Sequence, residues 1–116
     1  MAEGKTYEYE SRYGESYNVR LRRAQYASNQ TIAVHIESES GDGDLWEPYA
    51  TLTVNVPPAS DKFAGTRKAF VDTNNLGLEL LGWLEGNGIA KATGIAVKSG
   101  YCAYPQVEFS ADAFWD

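Results

Sequence analysis

FVDTNNLGLELLGWLEGNG, residues Phe70–Gly88, is the stretch that decides the fold. Its first two residues are typical of a strand end. The polar run that follows offers side chains that accept hydrogen bonds from the free N–H groups of a helix N-terminus, and we expect Asn74 or Asn75 to be the cap. Apolar residues then recur at spacings of three and four, which places them on one helix face. They are Leu76, Leu80, Trp83 and Leu84.

This pattern predicts one amphipathic helix of about three turns. Gly86, Asn87 and Gly88 tolerate positive φ and predict its end. Gly77 and Gly82 inside the helix each cost about 1 kcal/mol relative to alanine. They indicate either a close approach to a sheet or a bend. The apolar face needs a sheet to cover it.

Alternating apolar and polar residues predict strands before and after the helix. In the predicted strand 31–37, Ala33 and His35 face outward, and Pro105 places the last strand at an edge or a bulge. The order predicts an α+β fold, a mostly antiparallel twisted β-sheet with one amphipathic helix packed on one face. The predicted strands cover residues 7–10, 18–26, 31–37, 48–56, 69–71, 94–98 and 101–110.

A length of 116 residues predicts a single domain over residues 1–116, with residues 1–6 frayed. Eight Tyr, three Trp and four Phe argue against general disorder, which goes with few aromatic residues. The sequence has no apolar run near the roughly 18 residues that span a bilayer, and its N-terminus shows no signal peptide. Together with the one cysteine, these features predict a cytoplasmic protein.

A net charge of −6 disfavours non-specific nucleic-acid binding, which depends on Lys and Arg neutralising phosphates. Two local features leave alternatives open. The acidic loop 37–47 favours a surface that binds basic proteins or imitates DNA, as in an inhibitor of a host nuclease. Arg20, Arg22 and Arg23 favour instead a small basic patch beside tyrosines, which suits single-stranded nucleic acid.

Four segments carry a resemblance to a known family. They are YATLTVNVP at 49–57, FVDTNN at 70–75, TG at 93–94 and SGYCAYPQVEF at 99–109. Over about residues 18–109 the chain resembles a family of small bacterial proteins of unknown function. That family occurs largely in Gram-positive bacteria, among accessory genes of phages, plasmids and conjugative elements. The resemblance implies a mobile-element setting, and it implies no catalytic residue.

The inventory of catalytic residue types is small. A structural zinc site needs about four Cys or His ligands, and the chain has one of each. Cys102 and His35, with Asp72 or Asn55 as the third member, would make a nucleophilic triad, yet no local signature supports one. Loop 37–47 lacks the spacing of a calcium-binding EF-hand. We therefore expect no enzyme activity, no metal and no cofactor.

A polar and aromatic surface is the preferred binding site. Its residues converge if the third strand, the helix N-terminus and the last strand are neighbours, although capping and core packing explain the same residues. The sequence therefore predicts a small non-enzymatic accessory protein that contacts an unknown protein partner. The candidate binding residues are Asn55, Asp72, Asn74, Asn75, Tyr101 and Tyr104.

Overall fold

The computed structural model describes residues 5–40 and 45–115. Within these ranges the chain forms strands, two short α-helices and one 3-10 turn, Ser60–Phe63. The strands are β1 (Tyr7–Glu10), β2 (Ser16–Gln25), β3 (Ile32–Glu39), β4 (Trp46–Thr51), β5 (Thr53–Val54), β6 (Lys68–Val71), β7 (Ala90–Ser99) and β8 (Cys102–Phe109), and the helices are α1 (Thr73–Leu76) and α2 (Glu79–Gly86).

The strands form two antiparallel sheets, not the single predicted sheet. The first sheet has the order β1-β2-β3-β4, and the second has the order β5-β6-β8-β7. Their facing sides, α2 and the C-terminal residues share one apolar core. The prediction of a mostly antiparallel α+β protein is confirmed in this coarser form, while the prediction of one sheet is wrong.

The predicted strand 48–56 is in fact divided between the two sheets. At Leu52 the chain stops hydrogen bonding to β3 and starts hydrogen bonding to the end of β6. The Leu52 N–H donates to the Val34 carbonyl at 2.8 Å, and the Leu52 carbonyl accepts from the Asp72 N–H at 2.9 Å. Thr53, a polar residue of the same predicted strand, is buried because it lies where the two sheets meet. Its hydroxyl accepts from the Val34 N–H.

Alternation correctly predicts the inner face of the first sheet in most places. Val19 and Leu21 are fully buried, whereas Arg22, the next residue of β2, is exposed. Ala33, predicted to face outward, is only 3% exposed. The neighbouring β4 contains a bulge at Tyr49, because Ile36 pairs with Ala50 while the next residue pairs with Pro48. The bulge turns the Tyr49 ring toward Tyr9 and Tyr17.

The predicted single helix is broken at Gly77, which has φ +97°. Its cap is Asp72, whose Oδ1 accepts from the Asn75 N–H at 3.1 Å, so the expected cap at Asn74 or Asn75 is wrong. The predicted apolar face is still the side that packs on the core. Leu80 and Leu84 are buried, and Leu76 and Trp83 are partly buried against the core.

β8 is an inner strand of the second sheet, so the expectation that Pro105 marks an edge is wrong. The last pair between β6 and β8 is Phe70 with Gln106, and Pro105 lies one residue beyond it. No β6 residue stands opposite Pro105, so the N–H that proline lacks is not required for pairing with β6. A bulge is present, but on the partner strand: residues 93–95 of β7 stand opposite Gln106 alone. Beyond that bulge, most side chains of β7 are exposed.

The C-terminal residues pack back on the body. Phe114 is 6% exposed and its ring lies 5.8 Å from that of Phe109. The Trp115 N–H donates to the Leu21 carbonyl at 2.8 Å, at the edge of β2 beyond the end of β1. The Tyr7 hydroxyl donates to the Ala113 carbonyl at 2.9 Å. These contacts hold the tail against both sheets.

The predicted acidic loop 37–47 is shorter than expected. Glu37 and Glu39 belong to β3, and Glu47 belongs to β4. Glu37 accepts from Arg20 Nε at 2.6 Å, and Glu39 accepts from an amide N–H of Asn18. The loop tip, residues 41–44, and residues 1–4 of the predicted frayed segment 1–6 lie outside the described residues. In the described ranges, no helix is long and apolar enough to cross a membrane.

Candidate functional site

A cavity of about 430 Å³ lies between the β1–β2 turn and the junction of α1 with α2. We call it the Arg12 groove. The turn contributes polar residues, and the helices contribute apolar ones. The lining includes Tyr9, Glu10, Arg12, Leu76, Glu79 and Trp83.

Trp83 fixes the aromatic side of the groove. Its indole Nε1–H donates to the Glu8 carbonyl of β1 at 2.7 Å. The Tyr9 ring meets it edge to face, with ring centres 4.9 Å apart at 78°. Tyr7 makes a similar contact at 6.1 Å. Trp83 lines the groove, and its N–H is already bonded to β1.

Arg12 connects the β1–β2 turn to the helix break. Its Nη1 donates to the carbonyls of Asn74 at 3.3 Å and Asn75 at 3.0 Å. These are residues of α1, whose last carbonyls lack partners within the helix. Arg12 therefore satisfies the end of α1, and this interaction holds its guanidinium at the side of the groove.

Glu79 begins α2 and folds back over the helix break. A Cβ on Gly77 would lie 2.7 Å from Glu79 Oε1 and 3.9 Å from Arg12 Nε. That oxygen is the end of a flexible side chain and could move aside, so it is the φ of +97° that favours glycine at residue 77. Gly77 therefore lets a carboxylate and a guanidinium come near each other at one wall of the groove.

The Tyr9 hydroxyl is the perturbed group at this site. Burial is the main cause that raises the pKa of Tyr9, and the neighbouring Tyr49 adds to it. Glu79 raises the pKa further, whereas Arg12 lowers it. The opposite effects of Arg12 and Glu79 show that both charges act on the same phenol. The raised pKa keeps Tyr9 neutral and able to donate a hydrogen bond.

Together these residues offer a partner ring surface, apolar walls and fixed polar groups. The polar groups are the carboxylates of Glu10 and Glu79 and the guanidinium of Arg12. Small apolar grooves with a few convergent polar groups are the usual form of binding sites. The chain's one His and one Cys do not line the groove.

The structure brings together part of the predicted polar surface. Asn75 Nδ2 donates to Asp72 Oδ2 at 2.8 Å. Tyr104 lies close by: a hydrogen bond with Cys102 is the main cause that raises the pKa of Tyr104, burial adds to it, and the charge of Asp72 contributes. Asp72 and Asn75 thus form the cap, with Tyr104 beside it. Asn74 contributes its backbone carbonyl to Arg12, in the groove.

The other two residues of the predicted surface lie apart from this cluster. The Asn55 side chain accepts from Asn29 at 2.9 Å and donates to Ser28 at 3.3 Å. It therefore holds the β2–β3 turn. Tyr101 is fully exposed in the turn between β7 and β8. The six residues do not form one site.

The three arginines of the predicted basic patch do not share a face. The Arg20 guanidinium carbon lies 4.5 Å from the ring centre of Trp46 and 4.9 Å from that of Trp115. Arg23, three residues along β2, lies over the core residue Phe114 at 5.2 Å. Alternation along a strand explains the separation, since Arg20 and Arg22 face one way and Arg23 the other.

The hypothetical Cys–His pair is not assembled either. His35 is on the outer side of the first sheet, and its Nδ1 is 3.1 Å from the Thr51 hydroxyl. Cys102 is in the second sheet, at the start of β8. Among residues 5–40 and 45–115, no three Cys, His, Asp or Glu side chains are grouped to hold a metal ion.

A family model supplies the comparison with known proteins. The model for the domain of unknown function DUF4313 matches residues 20–115. The chain belongs to this family. The match begins at Arg20, so Trp83 and Glu79 lie inside the matched region, while Tyr9 and Arg12 precede it. No curated protein and no solved structure matches the chain.

The groove was missed by sequence reasoning. Glu79 has the spacing of a solvent-facing helix residue, and Tyr9 belongs to a short edge strand. Arg12 and Asn75 are 63 residues apart in sequence. The one signal that points to the groove is the pair of glycines inside the helix pattern, because Gly77 marks the break.

Proposed function

We propose that the chain is a small non-enzymatic accessory protein that acts through protein–protein contact, and that the Arg12 groove receives a side chain of the partner. The observation that carries the proposal is the groove itself, with the Trp83 ring and Leu76 beside Arg12 and Glu79. Tryptophan and arginine are frequent anchors of interfaces. The resemblance supports a mobile-element setting, and the single cysteine supports a cytoplasmic one.

Contact fits the groove better than catalysis because its hydroxyl groups already have other roles. Ser11 Oγ accepts from the N–H groups of Tyr13 and Glu15, both at 3.2 Å, and so holds the β1–β2 turn. The raised pKa of Tyr9 leaves its phenol protonated at neutral pH, so it does not serve as a general base there. The remaining groups suit hydrogen bonding and packing.

Nucleic-acid binding is the second candidate function, and one cluster favours it. Trp46 and Trp115, partly exposed, lie against Arg20 on the outer face of the first sheet, with Arg22 on the same face. Aromatic rings beside cations suit single-stranded nucleic acid. The ion pair of Arg20 with Glu37 and the net charge of −6 weaken this candidate and support protein contact instead.

Acidic mimicry of DNA is a third candidate, and the pairing of the described carboxylates weakens it. Glu37 is paired with Arg20, and Glu39 accepts from Asn18. Carboxylates committed to neighbours within the same sheet are poorly placed to imitate a row of phosphates. An assay of purified nucleases of the host tests this candidate, and a failure of the protein to inhibit them would contradict it.

A pull-down of the tagged protein from lysate of its own host, with and without nuclease, tests the proposal. Two matched variants identify the surface: Leu76→Gln changes the groove, and Leu78→Gln changes a leucine that is 79% exposed outside it. We expect wild type and L78Q to retain the same protein after nuclease treatment, and L76Q to lose it. Circular dichroism checks that L76Q is folded.

Two outcomes would contradict the proposal. Material lost with nuclease would favour the nucleic-acid alternative. A protein that L76Q retains as well as wild type does would place the contact on another surface.

A further inference from the structure

We propose that the side chain received by the Arg12 groove is cationic, a lysine or arginine carried by the partner. This inference rests on the proposed function and adds the chemistry of the partner group. It depends on the charges around the groove and on the shape of the apolar walls.

The charged lining of the groove is acidic on balance. Glu10 and Glu79 contribute two carboxylates, and Arg12 contributes one guanidinium. The Arg12 Nη1 is already committed to the carbonyls of Asn74 and Asn75. Hydrogen bonds to neutral carbonyls leave the Arg12 charge in place, so a ligand meets two negative charges and one positive charge, on a chain whose net charge is −6.

The walls suit a side chain with an apolar stem and a charged head. Leu76, Leu80 and the Trp83 ring line the apolar part of the groove. The indole N–H is bonded to the Glu8 carbonyl, which leaves ring surface for the ligand. Lysine and arginine pack their methylene stems on apolar surface and keep the head at polar groups. Their charge is also attracted to the face of an indole ring.

Other occupants fit less well. A carboxylate would approach Glu10 and Glu79 and would compete with the α1 carbonyls for Arg12. An uncharged apolar side chain would fill the walls but would remove water from Glu79 without giving it a partner, which costs free energy. A cation satisfies both parts of the groove at once.

The test uses four small probes that differ only in the side chain: the N-acetyl methylamides of lysine, arginine, norleucine and glutamate. Binding is followed by NMR through the indole N–H of Trp83 and the backbone amide of Glu79, at millimolar probe concentrations. We expect the lysine and arginine probes to shift these signals and to saturate. Norleucine, which has the lysine stem without the charge, is expected to bind more weakly, and glutamate weakest.

Two variants locate the charge that matters. Glu79→Gln removes a carboxylate from the groove, and Glu47→Gln removes one from an exposed position on β4. We expect E79Q to weaken the lysine probe about two- to fivefold, as for a partly solvated ion pair. E47Q is expected to bind it as wild type does.

Equal binding of norleucine and lysine would overturn the inference, and so would equal binding by E79Q and wild type. The two proposals fail separately. If a lysate protein is lost with L76Q but the cationic probes leave Trp83 unshifted, the groove is a protein-binding site for a group of other chemistry. If L76Q retains the lysate protein and the cationic probes leave Trp83 unshifted, both proposals are wrong.

Discussion

Gly77 is the residue on which the geometry of the groove depends, since its φ of +97° is a backbone conformation that strains any other residue. Gly77→Ala is expected to lower the free energy of unfolding by about 1–3 kcal/mol, the cost of placing a non-glycine residue in this backbone region. Urea denaturation of Gly77→Ala and wild type measures this difference in the free energy of unfolding.

Gly82 provides the matched control. It lies within α2, and a Cβ there would meet open space. Gly82→Ala is expected to raise stability by about 1 kcal/mol, because alanine favours the helix. If both variants changed stability in the same direction, the break at Gly77 would not be a strained position.

Tyr7 makes the free energy of unfolding depend on pH in the alkaline range. Its pKa is raised from 10.0, first by burial and then by the charge of Asp112. A pKa that is higher in the folded state gives stability that is fully present below the unfolded pKa and is lost as pH rises through the folded pKa. We expect the free energy of unfolding to fall from about pH 10 upward.

Tyr7→Phe separates this effect from general alkaline denaturation. The variant loses the hydrogen bond to the Ala113 carbonyl, which costs about 1 kcal/mol at neutral pH. It also lacks the titrating phenol, so its stability should fall less steeply between about pH 9 and 11. Urea titrations at several pH values measure both, and parallel curves for the two proteins would contradict the assignment.

At the scale of elements, the helix cap distinguishes the structure from the sequence pattern. Asp72 accepts from the Asn75 N–H and from its side-chain amide, whereas Asn74, a predicted cap, is exposed and offers its backbone carbonyl. Asp72→Ala should therefore cost about 1 kcal/mol. Asn74→Ala should stay within about 0.5 kcal/mol of wild type. A reversed order, measured by thermal or urea unfolding, would restore Asn74 as the cap.

The elements that the sequence predicts well are those with a local signal. Alternation identifies β2 and β3, because Val19 and Leu21 of β2, like Val34 and Ile36 of β3, are buried at every second position. It fails at Leu52, where one apolar run pairs first with β3 and then with β6. The side of the strand that faces the core is therefore not the same along the whole run. It also cannot distinguish a continuous helix from two short ones, since Leu76 and Leu80 keep helical spacing across the break.

At the scale of the whole molecule, the C-terminal residues join the two sheets. Phe114 contacts Phe109 of the second sheet, and Trp115 bonds to Leu21 of the first. Phe114→Ala is therefore expected to cost about 3–5 kcal/mol, as for other large core truncations. Tyr101→Ala, which truncates a fully exposed ring, should change stability by less than about 0.5 kcal/mol. Similar losses in the two variants, measured in urea, would show that the tail is not part of the core.

The candidate site lay beyond sequence reasoning for the same whole-molecule reason. Arg12 meets Asn75, and Trp83 meets Glu8, across separations of 63 and 75 residues. The spacing of apolar residues along the sequence does not predict contacts between residues so far apart. Of the predicted surface, the structure brings together Asp72 and Asn75, which are close in sequence, and places Asn55 apart from them at the β2–β3 turn.

The bulge at Tyr49 bears on how this chain tolerates changes in length. Removing one residue from a paired strand ordinarily turns every later side chain to the opposite face. Tyr49 is the extra residue between two regularly paired stretches of β4, so its deletion would leave Pro48 opposite Glu37 and Ala50 opposite Ile36. The loss would be confined to its ring contacts with Tyr9 and Tyr17. Among natural variants, a one-residue gap in β4 should therefore fall at this position.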